Sequence, residues 1–283
     1  DNESGESVAL KFPSAELKKD TEYLESLLRE DWIAQRIDNP HVLKAKPSVQ
    51  KKNYLYTVTE YIDGQNLMQW MIDNPTPSLE EVRKIIEQIA KGLQAFHRRE
   101  MIHQDLRPQN IMIDSLGTVK IIDFGSTKVA GISDIHANNE GIVGTLQYSS
   151  PEYFVNDPIT SRVDIFSLGV IAYQMLSGRF PYGQKVSRAK SVFEQRKLIY
   201  LSLNSHGIKV PGWVEESLRK AVSISPLKRY SEVSEFIYDM RVPNKTFTAK
   251  EQLPLMESNP LAFWRGLSLI LVLIIILQII FLN

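Results

Sequence analysis

The 283-residue sequence contains no cysteine, which excludes a disulfide framework and any zinc site built on thiolates. Its formal net charge is zero, with 33 basic and 33 acidic residues, so the charge balance gives no support to a nucleic-acid partner. The five histidines are scattered without metal-ligand spacing, and no internal repeat is visible. The composition is otherwise that of an ordinary globular protein, with 43% hydrophobic residues.

Two short motifs carry residues suited to phosphate chemistry. Asp105 and Asn110 lie five residues apart in the stretch His103–Asn110, which reads HQDLRPQN, and Asp123 follows at the end of a predicted strand. Mg²⁺ prefers hard oxygen ligands, usually one or two carboxylates together with substrate phosphates. Phosphoryl transfer depends mostly on positioning and charge neutralisation. The spacing therefore predicts a pocket that holds a hydroxyl nucleophile beside phosphate-bound Mg²⁺.

These motifs resemble the catalytic loop and the Asp-Phe-Gly motif of eukaryotic-type protein kinases. The resemblance covers residues 8 to about 240, and its motifs occur in the family's order. Four further matches are VALK at Val8–Lys11, SPE at Ser150–Glu152, DIFSLG at Asp164–Gly169 and PLKRY at Pro226–Tyr230. The last match implies that Arg229 pairs with Glu152.

The resemblance implies a role for each residue of the catalytic loop. Asp105 would be the base that accepts the proton of the attacking hydroxyl group. Arg107 stands where many serine/threonine kinases have lysine, and it would keep positive charge near the γ-phosphate. Asn110 and Asp123 would hold Mg²⁺, or Mn²⁺ in its place.

The ATP site is predicted from the small lobe and the connection between lobes. Lys11 would contact the α- and β-phosphates and would be oriented by Glu30, which lies on the following helix. The stretch Thr59–Gly64, TEYIDG, resembles the hinge of the family. The adenine of ATP would bind backbone groups there, at Glu60 and Ile62.

The expected fold class is α+β, a bilobal protein-kinase-like fold. We predict a truncated, β-rich small lobe at residues 1–59, a large helical lobe at residues 60–241 and a juxtamembrane linker at residues 242–260. Hydrophobic periodicity predicts helices at Thr21–Ile37, from Ser78 onward, and at Arg162–Leu176. The helix from Ser78 is predicted to begin with a capping box, with Ser78 at the cap and Glu81 three residues on. Further helices are predicted near residues 189–203, 212–222 and 231–240, and residues 111–122 are predicted to form a hairpin.

The chain begins at Asp1, without Met or a signal peptide, and no glycine-rich GxGxxG motif precedes Lys11. A kinase small lobe without its first two strands would expose an unpaired sheet edge. We therefore expect the chain to be a fragment, which leaves room for an upstream domain on the same polypeptide.

The C-terminal stretch Leu267–Leu282 contains no charged residue. As a helix it would reach across most of the roughly 30 Å hydrocarbon core of a bilayer. We predict a single-pass transmembrane anchor at residues 261–282, with Trp264 at the interface. Lys245, Lys250 and Arg265 precede the apolar run, which places the kinase domain on the cytoplasmic side.

The predicted function is ATP-dependent transfer of the γ-phosphate to Ser or Thr hydroxyl groups of protein substrates. The chain also resembles bacterial membrane-tethered kinases, some of which carry a phosphatase domain before the kinase. One alternative is a catalytically impaired scaffold, which the missing glycine-rich loop and Gln104 favour, because Gln104 replaces the arginine usual before the base. A small-molecule kinase is a third alternative, but the Ser150–Glu152 platform and Arg229 favour protein substrates.

Overall fold

The computed structural model describes residues 5–13, 20–46, 55–130, 145–244, 246–247 and 260–281. Several sequence predictions lie partly outside these ranges. They are parts of the small lobe at residues 1–59, most of the linker at residues 242–260 with Lys245 and Lys250, and Leu282 at the end of the predicted anchor.

The small lobe pairs two antiparallel strands and packs one helix beside them. Strand β1 (Val8–Lys11) lies against β2 (Thr57–Glu60), with Lys11 opposite Thr57. Helix α1 (Thr21–Ala34) begins where the Asp20 carboxylate accepts a hydrogen bond from the Tyr23 N–H, which satisfies a backbone donor of the first turn. The helix ends three residues before the predicted boundary at Ile37. Its buried residues, including Glu30, share one face.

A three-stranded antiparallel sheet follows. Strand β3 (Gly64–Asn66) pairs with β5 (Ile111–Asp114), which pairs with β6 (Val119–Ile121). The predicted hairpin is thereby confirmed. The Asp114 carboxylate accepts hydrogen bonds from the N–H groups of Leu116 and Thr118, which fixes the turn that connects β5 to β6.

Two long helices form the centre of the large lobe. Helix α3 (Leu79–His97) begins with the predicted capping box, in which Ser78 and Glu81 exchange hydrogen bonds between side chain and backbone. Helix α4 (Arg162–Ser177) is buried on nearly all sides and ends at Gly178, which adopts φ 66°. Helix α3 packs against α4. Because α4 is apolar on nearly every face, it lies buried at the centre of the lobe.

The remaining elements complete the lobe. They are helix α2 (Leu67–Asp73), strands β4 (Met101–Ile102) and β7 (Lys128–Val129), and helices α5 (Val192–Gln195), α6 (Gly212–Ala221) and α7 (Val233–Arg241). Strand β4 pairs with β7. Helices α6 and α7 confirm the predictions near residues 212–222 and 231–240.

The helix predicted at residues 189–203 is wrong. Only α5 is helical there, followed by a 3₁₀ turn at Leu203–His206. The chain is instead held extended by contacts with its neighbours. The Leu201 N–H donates to the Pro181 carbonyl, and the Tyr173 hydroxyl donates to the Leu201 carbonyl. These tertiary hydrogen bonds replace the helical ones that hydrophobic periodicity alone suggested.

The C-terminal helix α8 spans Pro260–Phe281. Its apolar side chains are exposed along much of its length, for example Leu269, Leu271 and Leu273. No helix among the described residues meets both the length and the hydropathy needed to cross a bilayer. The transmembrane anchor at residues 261–282 therefore stays a prediction.

Candidate active site

The loop after β4 is held by the carboxylate of Asp164 at the start of α4. Asp164 accepts hydrogen bonds from the backbone N–H groups of His103 and Gln104, and its Oδ2 lies 2.9 Å from His97 Nε2. Gln104 adopts φ 69°, a left-handed conformation that non-glycine residues rarely take. The two backbone hydrogen bonds stabilise this conformation and so fix the direction in which the chain enters Asp105.

The charge of Asp164 is stabilised by this contact. Burial alone would raise the pKa of Asp164, but the hydrogen bond from His97 and the charges of His97 and His103 outweigh it. The pKa is therefore below that of an ordinary aspartate. Asp164 is the first residue of the DIFSLG match, but its contacts with His97 and the backbone of residues 103–104 were not predicted from the sequence.

Asp105 and Asn110 are brought into direct contact. The Asn110 Nδ2 group donates to both the backbone carbonyl and the carboxylate Oδ2 of Asp105, each at 2.8 Å. The Asn110 carbonyl accepts from the Ile122 N–H at 2.9 Å, which ties the loop to the strand end before Asp123. The side-chain oxygen of Asn110 takes no part in these bonds, and it is a ligand type that Mg²⁺ accepts.

Arg107 lies beside the same carboxylate, with its Nε 3.5 Å from Asp105 Oδ2. Burial raises the pKa of Asp105, and the charge of Arg107 and the hydrogen bond from Asn110 offset this only in part. The negative charge of Asp123 raises it further. Asp105 is thus a stronger base than an ordinary aspartate, which suits the role that the resemblance implies.

Lys11 joins the small lobe to the Asp-Phe-Gly motif. Its Nζ lies 2.5 Å from Glu30 Oε2 and 3.8 Å from Asp123 Oδ1. Burial lowers the pKa of Lys11, but the charges of Asp123 and Glu30 outweigh it, and the net shift is upward. Burial raises the pKa of Glu30 despite the nearby Lys11. The cation therefore lies between two carboxylates, one from each part of the site.

The Asp-Phe-Gly motif is held in place by packing. The Phe124 ring is fully buried and meets Phe96 edge-on at 5.6 Å, and Phe96 meets His103 at 5.5 Å. A side chain at Gly125 would collide with Ser26 of α1, so glycine allows that helix to approach closely. Asp123 itself adopts φ 57°. Packing thus fixes the backbone on both sides of the Asp123 carboxylate.

The His103 side chain is fully buried and contacts the Phe96 ring. Burial lowers its pKa, and the surrounding carboxylates offset this only in part. Neither ring nitrogen of His103 has a hydrogen-bond partner among the described residues. The ring of His103 packs on Phe96, which packs on Phe124, so His103 supports the Asp-Phe-Gly motif through packing.

The two predicted hinge residues lie at the end of β2 and just after it. The Glu60 carboxylate binds Lys120 Nζ at 2.9 and 3.0 Å and accepts a hydrogen bond from the Lys44 N–H. Ile62 is half-buried and packs against the core. The Glu60 N–H is engaged as well, since it donates to the Lys44 carbonyl at 3.0 Å, so the contact of Glu60 with adenine stays a prediction.

The possible metal ligands of this site suit a metal ion that binds together with nucleotide phosphates. Among the described residues, no group of three or more His, Cys, Asp or Glu side chains could hold a metal ion alone. Asp123, about half exposed, and Asn110 offer one carboxylate and one amide oxygen. That is the small protein contribution Mg²⁺ takes when nucleotide phosphates supply further ligands.

A buried ion pair supports the segment after residue 144. Arg229 makes two hydrogen bonds of 2.7 Å to the two carboxylate oxygens of Glu152, and both side chains are buried. Arg229 also donates to the carbonyls of Ser223, Arg162 and Ile224. The predicted pair of Arg229 and Glu152 is confirmed, and it holds the Ser150–Glu152 stretch against the large lobe.

Comparison with known proteins agrees with this geometry. The family described as protein kinase domain matches residues 1–246. Serine/threonine-protein kinase PrkC of Bacillus subtilis is 27% identical over 262 residues, which are 90% of this chain and 40% of that protein. Probable serine/threonine-protein kinase PknB of Lactococcus lactis is 28% identical over 235 residues, which are 82% of this chain and 37% of that protein. The chain thus spans about two fifths of the length of these curated relatives.

Proposed function

Because the chain belongs to the protein kinase domain family, we propose that it transfers the γ-phosphate of ATP to Ser or Thr hydroxyl groups of protein substrates. The observation that carries this proposal is a single cluster. Lys11 contacts Glu30 and Asp123, while Asn110 contacts Asp105. The negative charge of Asp123 also raises the pKa of Asp105. A cation, a base and two metal-ligand types thus meet at one place, which is what phosphoryl transfer requires.

In the proposed mechanism each side chain has one task. Asp105 accepts the proton of the substrate hydroxyl, and its hydrogen bond from Asn110 orients the carboxylate toward that proton. Lys11 binds the α- and β-phosphates, and Glu30 holds its ammonium group in place. Asn110 and Asp123 would hold Mg²⁺, which neutralises developing charge on the phosphates when bound.

Arg107 contributes positive charge beside the base. Its Nε lies near the Asp105 carboxylate, so its charge reaches the position where the γ-phosphate would meet the hydroxyl group. A guanidinium group is a planar fork and remains charged at any working pH. We infer that it stabilises negative charge on the transferred group, as the usual lysine would.

Phosphate incorporation into a protein substrate tests the proposal. Asp105→Ala and Asp123→Ala should each lower kcat/KM by roughly a thousandfold, about 4 kcal/mol of transition-state stabilisation. Asp73→Ala removes an exposed carboxylate at the C-terminal end of α2, which accepts a hydrogen bond from Gln69 of the same helix, and it should leave the rate unchanged. Equal rates in all three variants would refute the assigned site.

A catalytically impaired scaffold is the second candidate. The observation that favours it is Gln104, which places a neutral side chain where the family usually has arginine, while its backbone is held by Asp164. A scaffold would bind ATP without turning it over. Calorimetric binding of ATP with no phosphate transfer, in the same preparation, would favour this alternative.

We also propose that α8 tethers the protein to a bilayer, with the kinase domain in the cytoplasm. The proposal is supported by the exposed apolar side chains of α8 and by Trp264 near its start. The full chain should float with lipid vesicles in a density gradient, and a variant lacking residues 260–283 should stay at the bottom. Equal flotation of both proteins would contradict the tether.

A further inference from the structure

The segment Lys185–Lys197, here called the basic segment, departs from the charge balance of the chain. It joins α4 to the extended stretch before the Leu203–His206 turn, and it carries five basic residues and one acidic residue. The chain as a whole has a net charge of zero, so this is a local excess of positive charge. The basic residues are Lys185, Arg188, Lys190, Arg196 and Lys197, and all five are exposed.

Among the residues that the structure describes, no carboxylate side chain neutralises the positive charge of the basic segment. None of its five basic side chains forms an ion pair with a carboxylate within the part of the chain that the structure describes. Its one acid, Glu194, uses its carboxylate to accept a hydrogen bond from the Lys190 backbone N–H at 2.8 Å. Lys197 instead lies 4.0 Å from the centroid of the exposed Phe193 ring.

The basic segment is fixed against the Ser150–Glu152 stretch. Gln195 is buried, and its Nε2 donates to the Pro151 carbonyl at 2.7 Å. Lys190 Nζ lies 4.8 Å from the centroid of the Phe154 ring, which belongs to the same 3₁₀ turn as Glu152. The turn Val186–Arg188 also packs against this turn. The cations are therefore held at a defined place beside the stretch that, by resemblance, supports the substrate peptide.

From this placement we propose that the basic segment selects acidic protein substrates, binding Asp or Glu side chains near the phosphorylated residue through Lys190 and Lys197. This inference rests on the proposed kinase function. Exposed cations attract a carboxylate over several ångströms, and the attraction falls as salt screens it. The contacts are made equally in the ground state and the transition state, so they should act on KM and leave kcat unchanged.

A pair of peptides tests the inference with the full chain. The peptides share one Ser acceptor and differ only in Glu or Gln at the same three flanking positions. The wild-type protein should phosphorylate the Glu peptide with a KM about five- to tenfold lower, and bind it more tightly by fluorescence anisotropy. Raising the salt concentration should reduce this preference.

The test variant is Lys190→Glu/Lys197→Glu, and the matched control is Lys84→Glu/Lys228→Glu. The control lysines are exposed and lie outside the basic segment, and both variants change the net charge equally. The test variant should lose the preference for the Glu peptide while its kcat/KM for the Gln peptide stays unchanged. The control variant should keep the preference.

Three outcomes would overturn the inference. They are equal use of both peptides by the wild-type protein, an unchanged preference in the test variant, and a test variant that loses only its binding to phosphatidylserine vesicles. The last would identify a membrane surface as the partner. If the wild-type protein binds the Glu peptide selectively but transfers no phosphate to either peptide, the basic segment binds acidic peptides and the proposed kinase activity fails.

Discussion

Neighbouring groups shift the pKa of Asp105 in opposite directions, and the sequence alone does not show these effects. Burial and the charge of Asp123 raise its pKa, while Arg107 and Asn110 lower it. As the proposed base, Asp105 must be ionised to accept a proton, so activity should be lost as pH falls through this pKa. Because the pKa is raised, the loss should begin at higher pH than for an ordinary aspartate.

Removing the neighbouring cation should move this acidic limb. Arg107→Gln deletes a charge that lowers the pKa of Asp105, so the pKa should rise and the limb of kcat/KM should shift to higher pH. Arg99 is exposed and precedes β4 in the chain, so Arg99→Gln should leave the pH profile of kcat/KM unchanged. Steady-state rates across a pH series would measure both, and a shift to lower pH in Arg107→Gln would contradict the assignment.

For single residues, the sequence predicted those contacts whose partners lie at a characteristic spacing within the family's motifs. Lys11 and Glu30 are nineteen residues apart, and their ion pair was predicted from the VALK match and the helix that follows it. Asp164 belonged to a recognised motif too, yet its contacts with His97 and two backbone N–H groups join residues sixty or more positions apart. Such contacts depend on how α3 and α4 pack, which periodicity does not specify.

The helices show the same division between local and tertiary control. The α3 capping box and the hairpin between β5 and β6 are set by residues within a few positions, and both were predicted. The helix predicted at residues 189–203 had suitable periodicity, but it does not form. The Gln195 side chain instead donates to the Pro151 carbonyl, and the Leu201 N–H donates to the Pro181 carbonyl. A buried polar side chain that must satisfy a distant carbonyl overrides local propensity.

Helix packing at the centre of the large lobe depends on one small residue. A Cβ at Gly169 of α4 would lie 2.9 Å from both the Ala221 Cβ and the Val222 Cγ1 at the end of α6. Gly169→Ala should therefore force the helices apart and lower the free energy of unfolding by about 1–2 kcal/mol, after a partial gain from helix propensity. Urea unfolding followed by tryptophan fluorescence measures the change.

A second helical glycine is the control for this effect. A Cβ at Gly266 of α8 meets no atom within 4 Å, so Gly266→Ala should not destabilise the protein. If Gly169→Ala is as stable as Gly266→Ala, then α4 and α6 do not pack as closely as the structure places them.

On the scale of the whole molecule, the Glu152–Arg229 pair joins parts of the chain 77 residues apart. Glu152 belongs to the turn that supports the proposed peptide site, and Arg229 follows the turn between α6 and α7. Since the basic segment also attaches to that turn through Gln195, the pair indirectly fixes the cations proposed to select substrates. Stability and the proposed substrate selection would thus depend on one buried contact.

Arg229→Met should lower the free energy of unfolding by about 3–5 kcal/mol, because it leaves the Glu152 carboxylate buried without its cation. The matched change Arg241→Met breaks exposed pairs with Glu80 and Glu87 and should cost about 0–1 kcal/mol. Added salt should weaken only the contribution of Arg241, since water and ions reach that pair alone. Denaturant unfolding at low and high salt measures both, and equal losses in the two variants would mean that the Glu152–Arg229 pair is not buried.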